Sequence, residues 1–449
     1  MSCPAIASLA FPFDLKRDQL EAADAWIKNG CRGSVIFSTG TGKTEIAFEC
    51  ARRAAAASQK GTFRVTFLVP RIVLIDQNVR RLQNYGIPDE SIGVYYGERK
   101  DAREITICTY QSAISNFDLV RSSDMVVLDE VHLISESAIE FDRIFDVIVE
   151  DPKKAILGLT ATINEKDPKY HTILTVAPPV KRYMIKDAVS DGRLAKPVVI
   201  PVEVDFTSEE RTSYDEASAM IKDISRKLRT YDPARMTKLL MRGGARASMA
   251  KTWFAQVRRR KELLSSTRQK LDKAVELVRN HPKERIMIFS ETIDSIQQLK
   301  DMLESSGVDA RTIHNGVKAK ERTEILASWG SDYFPLLSVH TLEIGYDVPH
   351  VGIAIIIAST SNMNQVAQRI GRVVRKAEGK EHALVYVVYV RNTKDDNVLK
   401  VVKAAIEKQS DKPVLTSRTR RENNSSSSST SSGRPAHGQK TITKFSSSS

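Results

Sequence analysis

The sequence has few cysteines and no long hydrophobic run. Its four cysteines, at positions 3, 31, 50 and 108, contain no Cys-X-X-Cys pair, so neither a disulfide framework nor a zinc module is expected. The longest apolar runs, such as residues 351–358, are far shorter than the roughly 20 residues that a membrane-spanning helix needs. Residues 1–13 lack a basic stretch ahead of an apolar core, so no secretion signal is predicted. A reducing cytoplasm or nucleoid is the simplest setting.

Positive charge is in excess and is concentrated in one segment. The 449 residues include 68 Lys or Arg and 55 Asp or Glu, which gives a formal net charge of +13. Residues 222–270 hold fifteen of the bases but only three acids. Tyr231, Trp253 and Phe254 are interleaved with these bases. The segment favours a surface that grips nucleic acid, with an ordinary solvated helical face, its aromatic side chains in the core, as the alternative.

Two stretches of the chain alternate short apolar runs with helical periodicity. In the first, the predicted buried strands are residues 34–37, 65–69, 105–108, 125–128 and 156–159. In the second, they are residues 286–289, 310–313, 336–339, 351–357 and 383–390. Such alternation predicts an α/β fold in which helices cover both faces of parallel sheets. We therefore expect two lobes in tandem, at residues 1–205 and 276–408.

The composition changes between these lobes and after them. Residues 206–275 carry no strand signal and are rich in Ala, Lys, Arg and Met, which predicts a helical insertion. Residues 409–449 are dominated by Ser, Arg, Thr and Asn. Such a segment buries too little apolar surface to fold, so a disordered C-terminal tail is predicted.

A glycine-rich loop follows the first predicted strand and opens a helix. It reads Ser38-Thr39-Gly40-Thr41-Gly42-Lys43-Thr44. In loops of this pattern the glycines let backbone N–H groups approach phosphates, the lysine reaches the β- and γ-phosphate oxygens, and the last hydroxyl binds magnesium. Phe37 stands where the pattern usually begins with glycine. The alternative is a plain strand-to-helix turn, but the flanking strand and helix favour a site for ATP and Mg²⁺.

An acidic pair follows another predicted strand about eighty residues later. Asp129 stands at the tip of this strand, and Glu130 follows it directly. A carboxylate in this position can hold the metal ion, and its neighbour can polarise the attacking water. An isolated acidic pair is often a solvated turn, but in the same lobe as a phosphate loop it predicts the second half of a hydrolytic site.

The order of further motifs resembles that of the superfamily 2 helicases. The acidic motif continues as Asp-Glu-Val-His through His132, and the other matching segments lie in the family's order along residues 11–392. They are Leu15-Lys16-Arg17-Asp18-Gln19, Leu68-Val69-Pro70-Arg71, Thr109-Tyr110-Gln111-Ser112, Thr160-Ala161-Thr162, His314-Asn315-Gly316, Gly345-Tyr346-Asp347-Val348-Pro349 and Gln368-Arg369-Ile370-Gly371-Arg372-Val373-Val374-Arg375. The resemblance implies that both lobes are RecA-like and that ATP is hydrolysed between them. Within the superfamily the chain is most similar to the archaeal XPB helicases, which carry a helical thumb between the lobes and imply a nuclease partner.

The resemblance also implies roles in the nucleotide site. Gln19 would read the adenine edge, and Gln368 would lie near the γ-phosphate. Arg372 and Arg375 would be arginine fingers that the second lobe presents to the transferring phosphoryl group, which couples closure of the lobes to hydrolysis. Residues expected to complete the nucleotide site are Gly345 and Asp347, although a simple turn is an alternative for Gly345.

A groove for a single strand is expected along both lobes. Such a groove needs backbone donors and small polar side chains beside the phosphates. The residues at the matching family positions are Pro70, Arg71, Thr109 and Tyr110 in the first lobe, and Ser290, Gly316 and Thr341 in the second.

The tail carries a spaced motif. Gln439, Ile442 and Phe445 have the spacing of a peptide that binds the sliding clamp PCNA. A short helical turn would place Ile442 and Phe445 on one face, at the end of a serine-rich tether.

The function expected from the sequence is that of an ATP-dependent DNA helicase or translocase, moving 3′ to 5′, in DNA repair or transcription. An RNA helicase is one alternative, because motors of this kind grip the sugar-phosphate backbone. A partner-dependent remodeller that uses ATP without unwinding is the other.

Overall fold

The computed structural model describes residues 3–136, 139–163, 165, 170–329, 332, 334–339, 351–358, 363–377 and 379–407. Within these ranges the chain forms two sheets flanked by helices. The predicted α/β class with two RecA-like lobes is confirmed. No helix in the described ranges is long and apolar enough to cross a membrane. The tail at residues 409–449, predicted to be disordered, lies outside the described residues.

The first sheet is built from the early strands of the chain. Its strands are β1 (Arg32–Phe37), β2 (Val65–Val69), β3 (Ile92–Tyr96), β4 (Arg99–Lys100), β5 (Ile105–Thr109), β6 (Met125–Asp129), β7 (Ala155–Thr160) and β8 (Pro179–Tyr183). Their order across the sheet is β4-β3-β5-β2-β6-β7-β1-β8. Only the β3–β4 pairing is antiparallel among the described strands. Strands β2, β5 and β7 are buried along their whole length, as expected where helices cover both faces.

Helices connect these strands and pack on the sheet. They are α1 (Arg17–Lys28), α2 (Lys43–Ala57), α3 (Ile72–Asn84), α4 (Tyr110–Ser115), α5 (Asp118–Arg121), α6 (His132–Glu136), α7 (Ile139–Val149), α8 (His171–Val176) and α9 (Ile185–Ser190), with 3₁₀ turns at Ala5–Ser8 and Asp89–Ser91. Because parallel strands end at the same edge of a sheet, the loops after β1, β2, β5, β6 and β7 meet there. Each of those loops carries one of the predicted motifs.

The second sheet is parallel throughout its described strands. These are β9 (Lys196–Val204), β10 (Ile286–Ser290), β11 (Arg311–Ile313), β12 (Leu336–Val339), β13 (Ile353–Ile356) and β14 (His382–Val390), in the order β11-β12-β10-β13-β14-β9. Strand β9 falls inside the segment predicted as the first lobe, residues 1–205. It pairs with β14 along its whole length, from Lys196 against His382 to Val204 against Val390, and so belongs to the second sheet.

The segment between β9 and β10 is helical, as its composition suggests. The remaining helices within the described ranges are α10 (Ser208–Leu228), α11 (Pro233–Arg242), α12 (Gly244–Ser265), α13 (Arg268–Asn280), α14 (Ile293–Ser305), α15 (Ala319–Ser328), α16 (Met363–Val373) and α17 (Asp396–Glu407). Thr207 and Glu210 form a capping box that starts α10, with each side chain accepting from the other residue's backbone N–H at 3.2 and 2.8 Å. Asp232 caps α11 ahead of Pro233. These caps fix where the helices begin.

The insertion has a small core of its own and is tied to the second lobe by a buried ion pair. Its core consists of Ile221, Ile224, Met236, Ala250 and Trp253. Lys270, fully buried at the start of α13, lies 2.5 Å from Asp395 Oδ2. It also donates to the carbonyls of Leu264 and Ile357, each at 2.7 Å. Burial lowers the pKa of Lys270, and the charge of Asp395 opposes that shift.

Replacing this lysine should destabilise the second lobe. Lys270→Met leaves Asp395 buried without its cation, and we expect a loss of about 3 kcal/mol in the free energy of unfolding. The measurement is the urea denaturation midpoint. Lys273→Met, on the partly exposed side of the same helix, is the matched control and should change it little. A Lys270→Met midpoint equal to that of the control would contradict the expectation.

Candidate nucleotide site and nucleic-acid interface

The glycine-rich loop lies between β1 and α2 and holds itself in shape. Gly40 and Gly42 have φ of +86° and +84°, values that favour glycine because other residues are strained there. The Thr41 hydroxyl donates to the Ser38 carbonyl at 2.7 Å, and Lys43 Nζ donates to the Phe37 carbonyl at 3.2 Å. Lys43 is therefore folded back over the loop in which it is expected to bind phosphates.

Gln19 contacts this loop directly. Its Nε2 donates to the Gly42 carbonyl at 3.2 Å, and its Oε1 accepts from the Lys16 backbone N–H at 2.8 Å. A Cβ at Gly42 would lie 2.2 Å from Gln19 Nε2. A glycine at this position therefore leaves the space that the Gln19 side chain occupies. The residue expected to read adenine is thus placed against the first turn of α2.

The acidic pair lies at the end of β6. Asp129 Oδ1 accepts from the Glu130 backbone N–H at 3.0 Å, and Glu130 adopts a φ of +50°. Burial, reinforced by the charge of Glu130, raises the pKa of Asp129 to about 7, and the nearby charge of Lys43 opposes the shift. Two adjacent, half-buried carboxylates whose negative charges repel each other favour a bound cation.

His132 connects the acidic pair to the segment after β7. Its Nδ1 lies 3.4 Å from Glu130 Oε2 and 2.9 Å from the Thr160 hydroxyl. That hydroxyl donates to the Thr162 carbonyl at 2.9 Å. The position of Glu130 is therefore coupled to the Thr160-Ala161-Thr162 segment through one imidazole ring.

The donor set fits magnesium. In the described part of the chain, no group of three or more His, Cys, Asp or Glu side chains is arranged so that it could hold a metal ion by itself. A hydroxyl from Thr44 and a carboxylate from Asp129 are oxygen donors, which Mg²⁺ prefers, and Mg²⁺ is commonly completed by substrate phosphates and water rather than by a protein cage.

The second lobe contacts the glycine-rich loop through α16 and the residues that follow it. A Cβ at Gly371 would lie 2.6 Å from Thr39 Cβ, and one at Gly40 would lie 3.1 Å from Arg375 Cγ. Gln368 and Arg372 are buried near this contact. Within the described residues the buried Thr39 hydroxyl and Gln368 Nε2 have no hydrogen-bond partner, which suits groups that would bind a nucleotide.

Two contacts at this interface involve residues that no motif indicated. Glu291 accepts from Arg369 of α16 at 3.0 Å and pairs with Lys261 of the insertion at 2.9 Å. Arg193, between α9 and β9, forms an ion pair with Asp18 and donates to the Thr41 carbonyl at 2.8 Å. Neither Glu291 nor Arg193 stands in a sequence pattern that points to these contacts.

The residues expected in the nucleic-acid groove differ in exposure. Pro70 and Arg71 are half-buried between β2 and α3, and Gly316 is exposed. Thr109, Tyr110 and Ser290 are only 7%, 3% and 0% exposed. The Thr109 hydroxyl caps α4, the Tyr110 hydroxyl donates to the Asp129 carbonyl at 2.7 Å, and the Ser290 hydroxyl bonds that of Ser295 at 2.6 Å. In this arrangement these three side chains brace the lobes and do not face solvent.

Some predicted site residues lie outside the described residues. They are Thr341, Gly345 and Asp347 in the second lobe, and Gln439, Ile442 and Phe445 in the tail.

The basic insertion exposes its charge and one of its aromatic rings. Arg235, Lys238, Arg242, Arg246 and Lys251 are all exposed. Tyr231 is 63% exposed, whereas Trp253 is 5% exposed and donates through Nε1 to the Ser225 hydroxyl at 2.8 Å. The tryptophan therefore belongs to the core of the insertion, and the bases form a cationic surface around it.

Comparison with known families separates the chain into two matching parts. Residues 12–165 match the family described as "Type III restriction enzyme, res subunit", and residues 269–377 match "Helicase conserved C-terminal domain". The first covers the glycine-rich loop and the acidic pair. The second covers α16 and its arginines.

Relatives extend the likeness over most of the chain. The "DNA 3'-5' translocase XPB2" of Sulfurisphaera tokodaii is 27% identical over 85% of this chain and 84% of its own length. The "DNA 3'-5' helicase XPB" of Mycobacterium tuberculosis is 24% identical over 85% of this chain and 62% of its own. The protein of the same name from Kineococcus radiotolerans is 27% identical over 85% and 61%. The chain thus spans less than two thirds of these two helicases.

Solved structures support the fold. The ATP-dependent Type ISP restriction-modification enzyme LlaBIII bound to DNA superposes with a TM-score of 0.61 at 18% identity, over 88% of this chain and 30% of that one. The Pyrococcus furiosus Hef helicase domain superposes with a TM-score of 0.55 at 17% identity, over 86% of this chain and 99% of that one. The two helicase family models match in order along the chain, and these relatives align with 85% of it, so the chain is similar to the superfamily 2 helicases.

Proposed function

We propose that this protein is an ATP-dependent DNA helicase or translocase that couples hydrolysis between its two lobes to 3′-to-5′ movement on DNA. The observation that carries the proposal is the contact of Gly371 and Arg375 with Thr39 and Gly40. It brings the arginines of one lobe onto the phosphate loop of the other. The XPB relatives, a DNA 3'-5' translocase and a DNA 3'-5' helicase, support the polarity and the choice of DNA.

The first lobe supplies the groups that would bind the nucleotide and activate the attacking water. The loop at residues 38–44 would cradle the phosphates, with Lys43 leaving the Phe37 carbonyl for the β- and γ-phosphate oxygens. Thr44 and Asp129 would hold Mg²⁺, which, when bound, neutralises charge on the phosphates. Glu130 would polarise the attacking water, oriented by His132 and Thr160.

The second lobe supplies positive charge. Arg372 and Arg375 would stabilise the negative charge that develops on the transferring phosphoryl group. Gln368 would lie near the γ-phosphate. These groups reach the phosphates only while α16 lies against the glycine-rich loop. Hydrolysis therefore depends on closure of the lobes, and closure in turn changes how the two lobes grip a strand.

The cationic insertion is the second candidate surface for DNA. Its exposed bases on α11 and α12 would bind phosphates without reading sequence. Pro70, Arg71, Gly316 and Thr341 would contact the strand along the lobes. Thr109, Tyr110 and Ser290, which are buried here, would act through backbone groups or by bracing their loops.

Two other activities are separated from this one by experiment. An RNA helicase would share the ATP site, and a remodeller would hydrolyse ATP without displacing a strand. An enzyme acting on chromosomal DNA agrees with the expected nucleoid-associated location in the cytoplasm. The family resemblance also implies that the protein would bind a nuclease partner.

Loss of the phosphate lysine should abolish the motor. Lys43→Ala is expected to lower the DNA-stimulated ATPase rate by at least ~100-fold and to stop strand displacement, while Lys28→Ala, an exposed lysine at the end of α1, leaves both unchanged. The measurements are ATP turnover on a panel of single-stranded DNA, duplex DNA and RNA, and displacement of a labelled strand. Stimulation by RNA alone, or turnover without displacement, would favour one of the two alternatives.

Removing charge from the insertion should weaken DNA binding evenly across sequences. For the triple change Arg235→Gln, Lys238→Gln and Arg242→Gln, we expect the negative slope of log K against log salt to become shallower by about 2, since each lost phosphate contact contributes roughly 0.7 to 0.9 to its magnitude. The measurement is fluorescence anisotropy with labelled DNA at several salt concentrations. A control triple at exposed lysines elsewhere, Lys28→Gln, Lys153→Gln and Lys283→Gln, should leave the slope unchanged. Equal slopes for both triples would show that the insertion is an ordinary solvated face.

The tail motif is proposed to tether the enzyme to a sliding clamp. Gln439, Ile442 and Phe445 would enter a pocket on the clamp as a short helical plug. Deleting residues 435–449 should abolish binding to purified PCNA in surface plasmon resonance and leave the ATPase unchanged. Clamp binding that survives the deletion would refute the tether.

A further inference from the structure

The connector between the two sheets contacts the nucleotide site through one side chain. Arg193 lies between α9, which follows β8 of the first sheet and packs against α17, and β9, the edge strand of the second sheet. Its guanidinium pairs with Asp18, the neighbour of Gln19, and Nη2 donates to the Thr41 carbonyl at 2.8 Å. The guanidinium carbon lies 6.0 Å from the centre of the Tyr183 ring. The side chain is therefore bound entirely by groups of the first lobe.

The backbone around Arg193 is bound instead to the segment that follows α16. Leu194 forms an antiparallel bridge with Arg375. The Ala195 N–H donates to the Val374 carbonyl at 2.8 Å, and Lys376 Nζ donates to the Gly192 carbonyl at 2.9 Å. Gly192, Leu194 and Ala195 are therefore expected to move together with the segment that contains Arg375, the arginine that packs on Gly40.

These two sets of contacts meet at a single residue. When the lobes separate, the segment at residues 374–376 carries the backbone of the connector away from the first lobe. The guanidinium must then stretch or release its bonds to Asp18 and Thr41. Because Thr41 stands between the two glycines of the phosphate loop, the bond from Arg193 adds to the loop's own hydrogen bonds only while the lobes are closed.

We propose that Arg193 is a positioning residue that couples closure of the two lobes to the shape of the phosphate loop. It acts through the Thr41 carbonyl and does not touch the reacting atoms. The planar guanidinium bridges a carboxylate and a carbonyl at fixed angles, which the point charge of a lysine does not reproduce. Coupling is reciprocal, so ATP bound in the loop also favours closure. The inference rests on the proposed ATP-driven function and names the residue that transmits it.

A second ion pair offers a matched control. Lys181 of β8 pairs with Glu21 of α1 at 2.7 Å, just as Arg193 pairs with Asp18 of the same helix. Lys181 has no contact with the glycine-rich loop among those the structure gives it. Its removal therefore takes away an ion pair to α1 and leaves the link to Thr41 intact.

The test compares Arg193→Ala, Arg193→Lys and Lys181→Ala in the full chain. Basal and single-stranded-DNA-stimulated ATPase rates are measured over a range of ATP concentrations in Mg²⁺ buffer, together with thermal melting. For Arg193→Ala we expect the ratio of stimulated to basal kcat to fall about tenfold, within the range of typical coupling between sites, and the KM for ATP to rise. Arg193→Lys should recover less than half of the ratio. Lys181→Ala should change only the melting temperature.

The outcomes separate coupling from stability. A wild-type ratio in Arg193→Ala, full recovery by lysine, or an equal loss in Lys181→Ala would each overturn the proposal. If Arg193→Ala does not fold, Arg193→Lys alone decides by the same ratio. If the wild-type ATPase is not stimulated by DNA, the proposed helicase function fails, whereas Arg193 is then judged by KM for ATP in the basal reaction. An unchanged KM would overturn the coupling.

Discussion

The approach of α16 to the glycine-rich loop is the contact on which the rest of the site depends. It is so close that a Cβ at Gly371 would clash with Thr39 at 2.6 Å, and one at Gly40 would be tight against Arg375 at 3.1 Å. Neither lobe holds a complete reaction centre. The carboxylates and the phosphate loop are on one sheet, and the arginines are on the other. Under the proposed function, ATP would be hydrolysed only in one relative position of the lobes, so that hydrolysis would be coupled to their movement.

The helix that makes this contact is also bound on its other side. Arg369 of α16 is fully buried, with its guanidinium 5.4 Å from the centre of the Phe289 ring and 3.0 Å from Glu291. Glu291 pairs in turn with Lys261, which is half-exposed on the basic helix α12. The Glu291 carboxylate therefore links the surface proposed to bind DNA phosphates to α16, the helix that carries Arg369 and Arg372. Such contiguous contacts are the physical means by which binding at one surface alters a second site.

The electrostatics of the acidic pair, Asp129 and Glu130, favour a cation bound beside it. At the end of β6, burial and the charge of Glu130 raise the pKa of Asp129 to about 7. A nearby cation reverses both effects, because it stabilises the ionised carboxylate. His132 contacts both Glu130 and Thr160. Under the proposed function, Asp129 would hold the metal ion and Glu130 would remain available to water.

The sequence by itself determined the α/β class, the sites of most strands, the glycine-rich loop and the acidic pair. These features depend on apolar runs and on residues adjacent in the chain, and parallel strands bring their carboxyl ends to one edge whatever the details of packing. Only the tertiary structure decided which sheet β9 joins, because its pairing with β14 joins residues more than 180 positions apart. The same holds for Arg193 beside Thr41 and for the burial of Tyr110, Ser290 and Trp253, which depend on packing between distant segments that no local pattern records.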